Sequence, residues 1–488
     1  MSENSSSGLY EELRAMVGLS GNPRVARDPV NVPTTRNWCD AMSEANPNFT
    51  DSDMAATGPH GGLVAPPATL NVWTMSGLTM GQQPPRDMAE PSAVVYSKLD
   101  AAGYSSVVAT NSDQVYHRYL RPGDLITSVT TLVDVSEEKT TALGVGYFVT
   151  TEAAFTDQHG ESVGSLFFRV LKFKPGTGRT RESKPDPKRD ALIEAGLDPD
   201  EFFPPEPRPA RPRPQWNEDQ AWHWEGLRER ELRIQRFTDD GTLVHPPANA
   251  NPNTQSMDYD YVVASGRGTL YSYTVPQYPQ VPAFDYPLVV GLVELEEGVR
   301  VVSNIIDVPA DQLEIGMPLE VCYIDTHDDV TLHQFRPATA PRNETTLCAA
   351  DVAVGDRLPL CPIPLDHRLI ISTALATRDF QDVHHDVAAA KAKGSKDIFM
   401  NILTTSGLCN RWVGDWAGPD AMFSKLEVGL GAPNYPGDTM TLSGAVTAVA
   451  DDGTITVGFK GANSLGNHVT GSVEIVLPDR SAAIGEGS

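Results

Sequence analysis

The sequence predicts an α+β chain in which two related units flank a small β-barrel, and three features carry that expectation. Runs with a period of two, the mark of strands with one buried face, fill the later part of a first unit and of a last unit. Each set of runs follows a proline-glycine-aspartate phrase, Pro122-Gly123-Asp124 and Pro436-Gly437-Asp438. Between the two lies a group of about five short strands at close spacing, the pattern of a small barrel.

In the first unit, RNWCDAMSEANPN has helix-like character, and the strands follow as LITSVTTLVDVSEE, TALGVGYFVTTEAAFTD and SVGSLFFRVLKFKP. GGLVAPPATL lies between them and is rich in glycine and proline, which makes at best a weak, shortened helix. Such a segment is either a plain loop or a device that opens room for a bulky ring system. Proline and charge then dominate FFPPEPRPARPRPQ, a composition that packs no core and reads as a connector. The middle unit opens on a helical WNEDQAWHWEGLRERELRIQ and continues as GRGTLYSYTV, LVVGLVELEEG, VRVVSNIID and LEVCYID, with a polar hairpin turn over Glu294 to Gly298. The last unit repeats the order of the first: helix-like TRDFQDVHHDVAAAKAKG, then strands DTMTLSGAVTAVADD, TITVGFKGANSLG and HVTGSVEIVLP. A diverged internal duplication accounts for this order, and it predicts two α+β units pairing as a pseudo-dimer. The boundaries fall at 1–175, 176–214 (linker), 215–342 and 343–488.

Bulk composition narrows the function. A net charge of -26 repels phosphate backbones, so nucleic acid is not an expected partner. Any anionic ligand needs a local basic patch working against that field. No run of about 18 apolar residues predicts a membrane-spanning helix. MSENSSSGLYEEL has no basic stretch leading into an apolar one, so a cytoplasmic location is expected. The cysteines at 39, 322, 348, 361 and 409 form no CxxC pair, which leaves a disulfide framework or a thiolate zinc site without support.

One short motif carries chemistry. Asp379 and His384 are five residues apart in DFQDVH, just before a helix that Asp386 caps and Gly394 ends. A carboxylate and an imidazole converging on one water suit proton transfer to and from a substrate. His385 is read as structural or solvated. Asp325, His327, Asp328 and Asp329 read as a solvated acidic turn. Tyr116, His117 and Arg118 are either channel-lining or strand-edge positions.

At these residues the last unit resembles the MaoC-like, R-specific enoyl-CoA hydratases, whose signature joins an Asp and a His at this spacing. Gln381 and Asp382 stand where that family usually has Asn-Pro, a departure seen in its steroid side-chain branch, which NSLGNHVTG also resembles. The first unit resembles the partner half, but Glu44 and Phe49 take the places of Asp and His around a retained Asn46-Pro47. The middle unit, through SGRGTLYSYTV and IGMPLEV, resembles a zinc-ribbon plus OB-fold domain in which Phe237, Asp240, Asn251 and Thr254 replace the four cysteines. The resemblance implies two hotdog domains forming a double-hotdog module around an intervening OB-fold. It implies an enoyl-CoA hydratase acting on a steroid side-chain thioester through Asp379 and His384, with the backbone N–H of Asn401 or Met400 at the oxyanion. It further implies an inert first half, no cofactor, no metal, a homodimer, and a thiolase-like aldolase docking on the OB-fold. Thioesterase chemistry and acyl-CoA scaffolding are the rival readings.

Overall fold

The computed structural model describes residues 3–78, 90–178, 209–284 and 286–478. Most of the predicted linker lies outside the described residues. The chain divides into two compact units: residues 1–181 with 341–359 and 363–488, and residues 182–340 with 360–362.

The larger unit holds both duplicated halves. In the first, β1 (Ser106–Tyr116), β2 (Thr127–Val135), β3 (Val145–Thr156) and β4 (Ser162–Phe173) are antiparallel. In the second, β5 (Met422–Leu430), β6 (Thr439–Val449), β7 (Thr454–Asn463) and β8 (Gly466–Val476) repeat the scheme. The sheet runs β2-β3-β4-β1-β5-β8-β7-β6, so each half is the reverse of the other. Strands β1 and β5 join them, with Lys425 opposite Val115, Glu427 opposite Asp113 and Gly429 opposite Asn111. The two strands forming this seam are missing from the period-2 reading. In SVVATNSDQVY the buried positions include Ser112 and Gln114, so the hydrophobic pattern shows no clean alternation.

The duplication extends to backbone detail. Helix Val32–Met42 is capped by Asn31, and helix His367–Ala376 by Asp366. Each is followed by a residue in the left-handed region, Ser43 at φ 54° and Arg378 at φ 59°, directly before Glu44 and Asp379. Gly123 and Gly437 both have positive φ in their Pro-Gly-Asp turns, which glycine adopts without a Cβ clash. The counterpart of the first helix is thus His367–Ala376, one segment earlier than the TRDFQDVHH stretch with which the sequence pattern pairs it. There the chain makes only a 3-10 turn, Asp382–His384, and the helix Val387–Ala392, which Asp386 caps as expected.

The halves differ at their centres. Helix Ile402–Ala417 has 12 of its 16 residues buried, including Thr404, Thr405, Ser406 and Asn410. A helix enclosed all round lies in the core rather than on it. Gly407 permits the close approach of Val32–Met42: a Cβ there would stand 2.8 Å from the Trp38 ring. In the first half the matching segment forms only the 3-10 turns Pro67–Thr69 and Val72–Thr74. Pro66 and Pro67 each remove a backbone donor, which agrees with the expected weak helix.

The smaller unit contains a five-stranded sheet in the order 300–304, 290–295, 267–274, 318–327, 330–337, and a bridge from Ile305 to Phe335 joins its ends. Leu270, Val293, Val301, Leu319 and Phe335 fill the barrel. A three-stranded sheet and helix Ala221–Arg228 complete the unit. The helix is shorter than WNEDQAWHWEGLRERELRIQ suggests. Arg230 turns left-handed at φ 63°, and Arg233–Phe237 becomes a strand.

His223, His245 and His333 pack together in this unit, with ring centres 5.4, 6.0 and 6.4 Å apart. Burial lowers the pKa of all three, to about 3 for His245 and about 4 for His333, and repulsion from neighbouring rings adds to the shift of those two. Depressed folded values mean that stability is present above the ordinary histidine pKa and is lost as pH falls towards the folded values. By pH 5, His245 and His333 should each cost roughly 2 kcal/mol. Hydrogen exchange across residues 209–340 at pH 7 and pH 5 should show faster opening in acid, and His333→Phe should flatten the difference. Equal protection at both pH values would count against the cluster as the acid-sensitive element.

Candidate active site

The Asp379 N–H closes onto Ala374 O at 3.0 Å, and the 3-10 turn then carries His384 back towards it. His384 Nε2 stands 3.5 Å from Asp379 Oδ2, with both side chains largely enclosed (8% and 14% exposed). His384 Nδ1 lies 2.7 Å from the carbonyl oxygen of Phe399. A carbonyl only accepts, so the ring proton sits on Nδ1 and the lone pair on Nε2 points at the carboxylate. Burial pushes the His384 pKa down, opposed by Asp379, and so favours the neutral ring.

Helix Ile402–Ala417 begins beside this pair. Asn401 is its N-cap: Oδ1 accepts from the Thr404 N–H at 2.7 Å, and Nδ2 donates to Thr377 Oγ1 at 3.0 Å. The predicted oxyanion donors separate here. The Met400 N–H donates to Asn434 O at 3.1 Å and is engaged. The Asn401 N–H has no acceptor among the described residues and lies at the positive end of the helix dipole. The helix also starts later than KDIFMNILTTSGLCNRW suggests, because Asn401 caps it.

Several supports of the site escape sequence reasoning. Asn434 is fully buried and accepts from Asn463 Nδ2 at 2.9 Å while holding Met400. His468 links Ala432 O (2.7 Å) to Thr405 Oγ1 (2.8 Å) in the first turn of the helix. Asn463 and His468 flank the SLGN turn of NSLGNHVTG, and no spacing rule marks them.

In the first half the corresponding place lacks these groups. Glu44 replaces the aspartate, Phe49 replaces the histidine, and Pro66, the residue capping the 3-10 turn, has no N–H to offer. A cavity remains, lined by Trp38, Glu44, Phe49, Pro66, Asn410 and Phe423 among others. Glu44 accepts the Asn46 N–H at 2.8 Å, and burial raises its pKa to about 7, helped by Asp415. A raised acid contributes stability below about pH 4.5 and loses it as pH rises to about 7, so Glu44→Gln should stabilise the fold above pH 7. With some water reaching the cavity, the gain is on the order of 2 kcal/mol. Chemical unfolding at pH 5 and pH 8 checks this: the variant's advantage should be clearly larger at pH 8 than at pH 5, with turnover changed less than about threefold. A uniform effect at both pH values, or a large loss of turnover, would refute an inert, proton-retaining Glu44.

Tyr116, His117 and Arg118 are engaged within the fold. Arg118 bridges Asp124 (2.6 Å) and Asp157 (2.8 Å), His117 meets Ser162 (2.8 Å), and Tyr116 is buried. In the smaller unit, three of the positions aligned with zinc cysteines, Asp240, Asn251 and Thr254, form a polar clasp with Asp239, while Phe237 is buried. Asn251 Nδ2 donates to Asp239 (3.0 Å) and Asp240 (2.8 Å), and Thr254 donates to Asp239. Among the described residues, no group of three or more His, Cys, Asp or Glu is placed to hold a metal ion. None of their helices is long and apolar enough to cross a membrane. Asp325 and Asp329 of the acidic turn pair with Arg230 and Arg213.

Comparison with known proteins agrees with this architecture. A family model described as "ChsH2, C-terminal OB-fold domain" matches residues 261–323, and one described as "FAS1-like, dehydratase domain region" matches 15–165. A "Probable enoyl-CoA hydratase alpha subunit" of Thermomonospora curvata is 39% identical over 342 residues, 69% of this chain and 98% of that protein. A "3-oxo-4,17-pregnadiene-20-carboxyl-CoA hydratase alpha subunit" of Mycobacterium tuberculosis is 41% identical over 330 residues, covering 67% and 97%. Its beta subunit is 56% identical over 126 residues, 26% of this chain and 97% of that protein. Among solved structures, a "MaoC-like dehydratase" shares the fold across 96% of this chain and all of its own, with a TM-score of 0.51 at 17% identity. With the double-hotdog sheet, the OB-fold and these relatives together, the chain belongs to the MaoC-like enoyl-CoA hydratase family.

Proposed function

We propose that the chain adds water across the α,β-double bond of a bulky, steroid side-chain enoyl-CoA, with Asp379 and His384 holding the attacking water. One observation carries the reading: His384 Nε2 and Asp379 Oδ2, both acceptors, face each other at 3.5 Å. A water donating one hydrogen to each satisfies both and leaves its oxygen lone pairs free to attack Cβ. One of the pair removes a proton as the C–O bond forms, and Cα receives a proton as the enolate collapses. The Asn401 N–H stabilises the thioester oxygen while it carries negative charge. No cofactor beyond the CoA of the substrate takes part.

Two findings support a bulky acyl group. The relative at 41% identity is named for a pregnadiene carboxyl-CoA, and the first half has short turns where the second has a full helix. This chain resembles both subunits of that relative, so we read it as a fusion of the inert half, the OB-fold and the catalytic half. The smaller unit exposes Met257, Tyr259, Tyr261 and Val263, an apolar and aromatic stripe suited to a protein partner. We assign it to a thiolase-like aldolase acting on the product, and we assign the assembled enzyme to a homodimer. The test is incubation with a steroid enoyl-CoA bearing a three-carbon side chain. Loss of enoyl-thioester absorbance with a product heavier by one water supports hydration. Release of free CoA thiol would mean a thioesterase, and binding without conversion would mean a scaffold.

A further inference from the structure

We infer that Arg27 and Arg378 form the anion-binding subsite for the phosphate groups of the CoA substrate. The inference rests on the hydratase reading above. The two side chains come from opposite halves of the larger unit and converge at Gly77: a Cβ on that residue would lie 3.7 Å from Arg27 Nη1 and 3.8 Å from Arg378 Nη2. The two guanidinium ends are therefore at most 7.5 Å apart (3.7 plus 3.8). Neither makes an ion pair or hydrogen bond with the described residues, unlike Arg118, Arg213, Arg230 and Arg342, each of which faces a carboxylate.

Two guanidinium forks within 7.5 Å of each other, neither paired to a described carboxylate, can both reach a single anion. On a chain of net charge -26, unneutralised cations so near each other are the local basic feature that an anionic substrate requires. Their place also fits. Arg378 directly precedes Asp379, and its left-handed backbone at φ 59° is the turn that separates the helix from the catalytic loop. A phosphate held by Arg378 is thus tied to the loop that carries Asp379, and the pantetheine arm is the part of CoA that spans from phosphate to thioester. Arginine suits the role because its planar fork donates two parallel hydrogen bonds to phosphate oxygens. The lysines near the site are weaker candidates: Lys393 stands 3.4 Å from Asp382, and Lys396 lies 4.5 Å from the Tyr435 ring centre.

The test compares two substrates with the same acyl group, the full CoA thioester and a pantetheine thioester that lacks the nucleotide and its phosphates. Arg27→Gln and Arg378→Gln should each raise KM for the CoA thioester roughly tenfold, the worth of a charged hydrogen bond, with kcat changed less than about threefold. On the pantetheine thioester both variants should match the parent. An unchanged KM for the CoA thioester overturns the assignment, and so does an equal rise with both substrates, which would mean a structural effect. Should the parent enzyme hydrate neither substrate, the hydratase reading falls while the subsite stays testable. Calorimetric binding of adenosine 3′,5′-bisphosphate should weaken in both variants, and equal binding overturns it.

Discussion

Asp379→Asn and His384→Ala should each lower kcat for enoyl-CoA hydration by about 10²- to 10⁴-fold or more, with the fold retained. The asparagine keeps the shape of the carboxylate but presents an N–H₂ that can donate directly to His384 Nε2, 3.5 Å away in the parent. That closes the place of the water and removes a base in one step. The alanine leaves the Phe399 carbonyl without its imidazole partner and removes the lone pair itself. Because burial pushes the His384 pKa down, the neutral, working form should persist below the ordinary histidine pKa near 6.5. The acid limb of kcat against pH should then lie below that value and vanish with His384→Ala. Both variants must unfold near the parent's midpoint for the loss to count. Parental rates in either variant would remove the pair from the chemistry.

The second large effect concerns acyl size. A steroid enoyl-CoA with a three-carbon side chain should exceed crotonyl-CoA in kcat/KM by at least about 100-fold. Burying roughly 300 Å² of ring surface at about 25 cal/mol/Å² gives a gross gain of about 7 kcal/mol. Ordering costs reduce this, yet 100-fold needs only about 2.8 kcal/mol. The physical basis is the absence of an α-helix between residues 58 and 78, where the second half has the buried helix Ile402–Ala417. Comparable values for the two substrates would keep the hydratase and discard the bulky pocket. Filling the space should act selectively: a larger residue at Ala68, buried in the first of the two 3-10 turns, should reduce steroid turnover more than crotonyl turnover.

What the sequence could reveal was whatever depends on neighbours along the chain. The Asp386 cap, the Gly298 turn and the proline-broken central segment are local backbone chemistry, and each stands where its residues imply. The Asp379–His384 pair was legible because five residues of one loop carry both groups. The duplication was legible in outline through its repeated Pro-Gly-Asp phrase. The loss of these groups from the first half could be read from Glu44 and Phe49 alone, since neither residue type supplies the missing imidazole.

Tertiary structure alone decided the rest, because those features depend on residues far apart in sequence meeting in space. Strands Ser106–Tyr116 and Met422–Leu430, some 300 positions apart, pair to make the seam of the module, a pairing that no local pattern announces. The carbonyl of Asn434, 34 residues on, takes the Met400 N–H and leaves the Asn401 N–H without an acceptor among the described residues. The segment where the four cysteines are replaced is held by Asn251 reaching Asp239 and Asp240, and the three histidines of the smaller unit meet across more than 100 residues. Hydrophobic period and capping report local geometry. Burial of a polar group, the partner it finds and the direction its pKa moves follow only from what the folded chain brings against it.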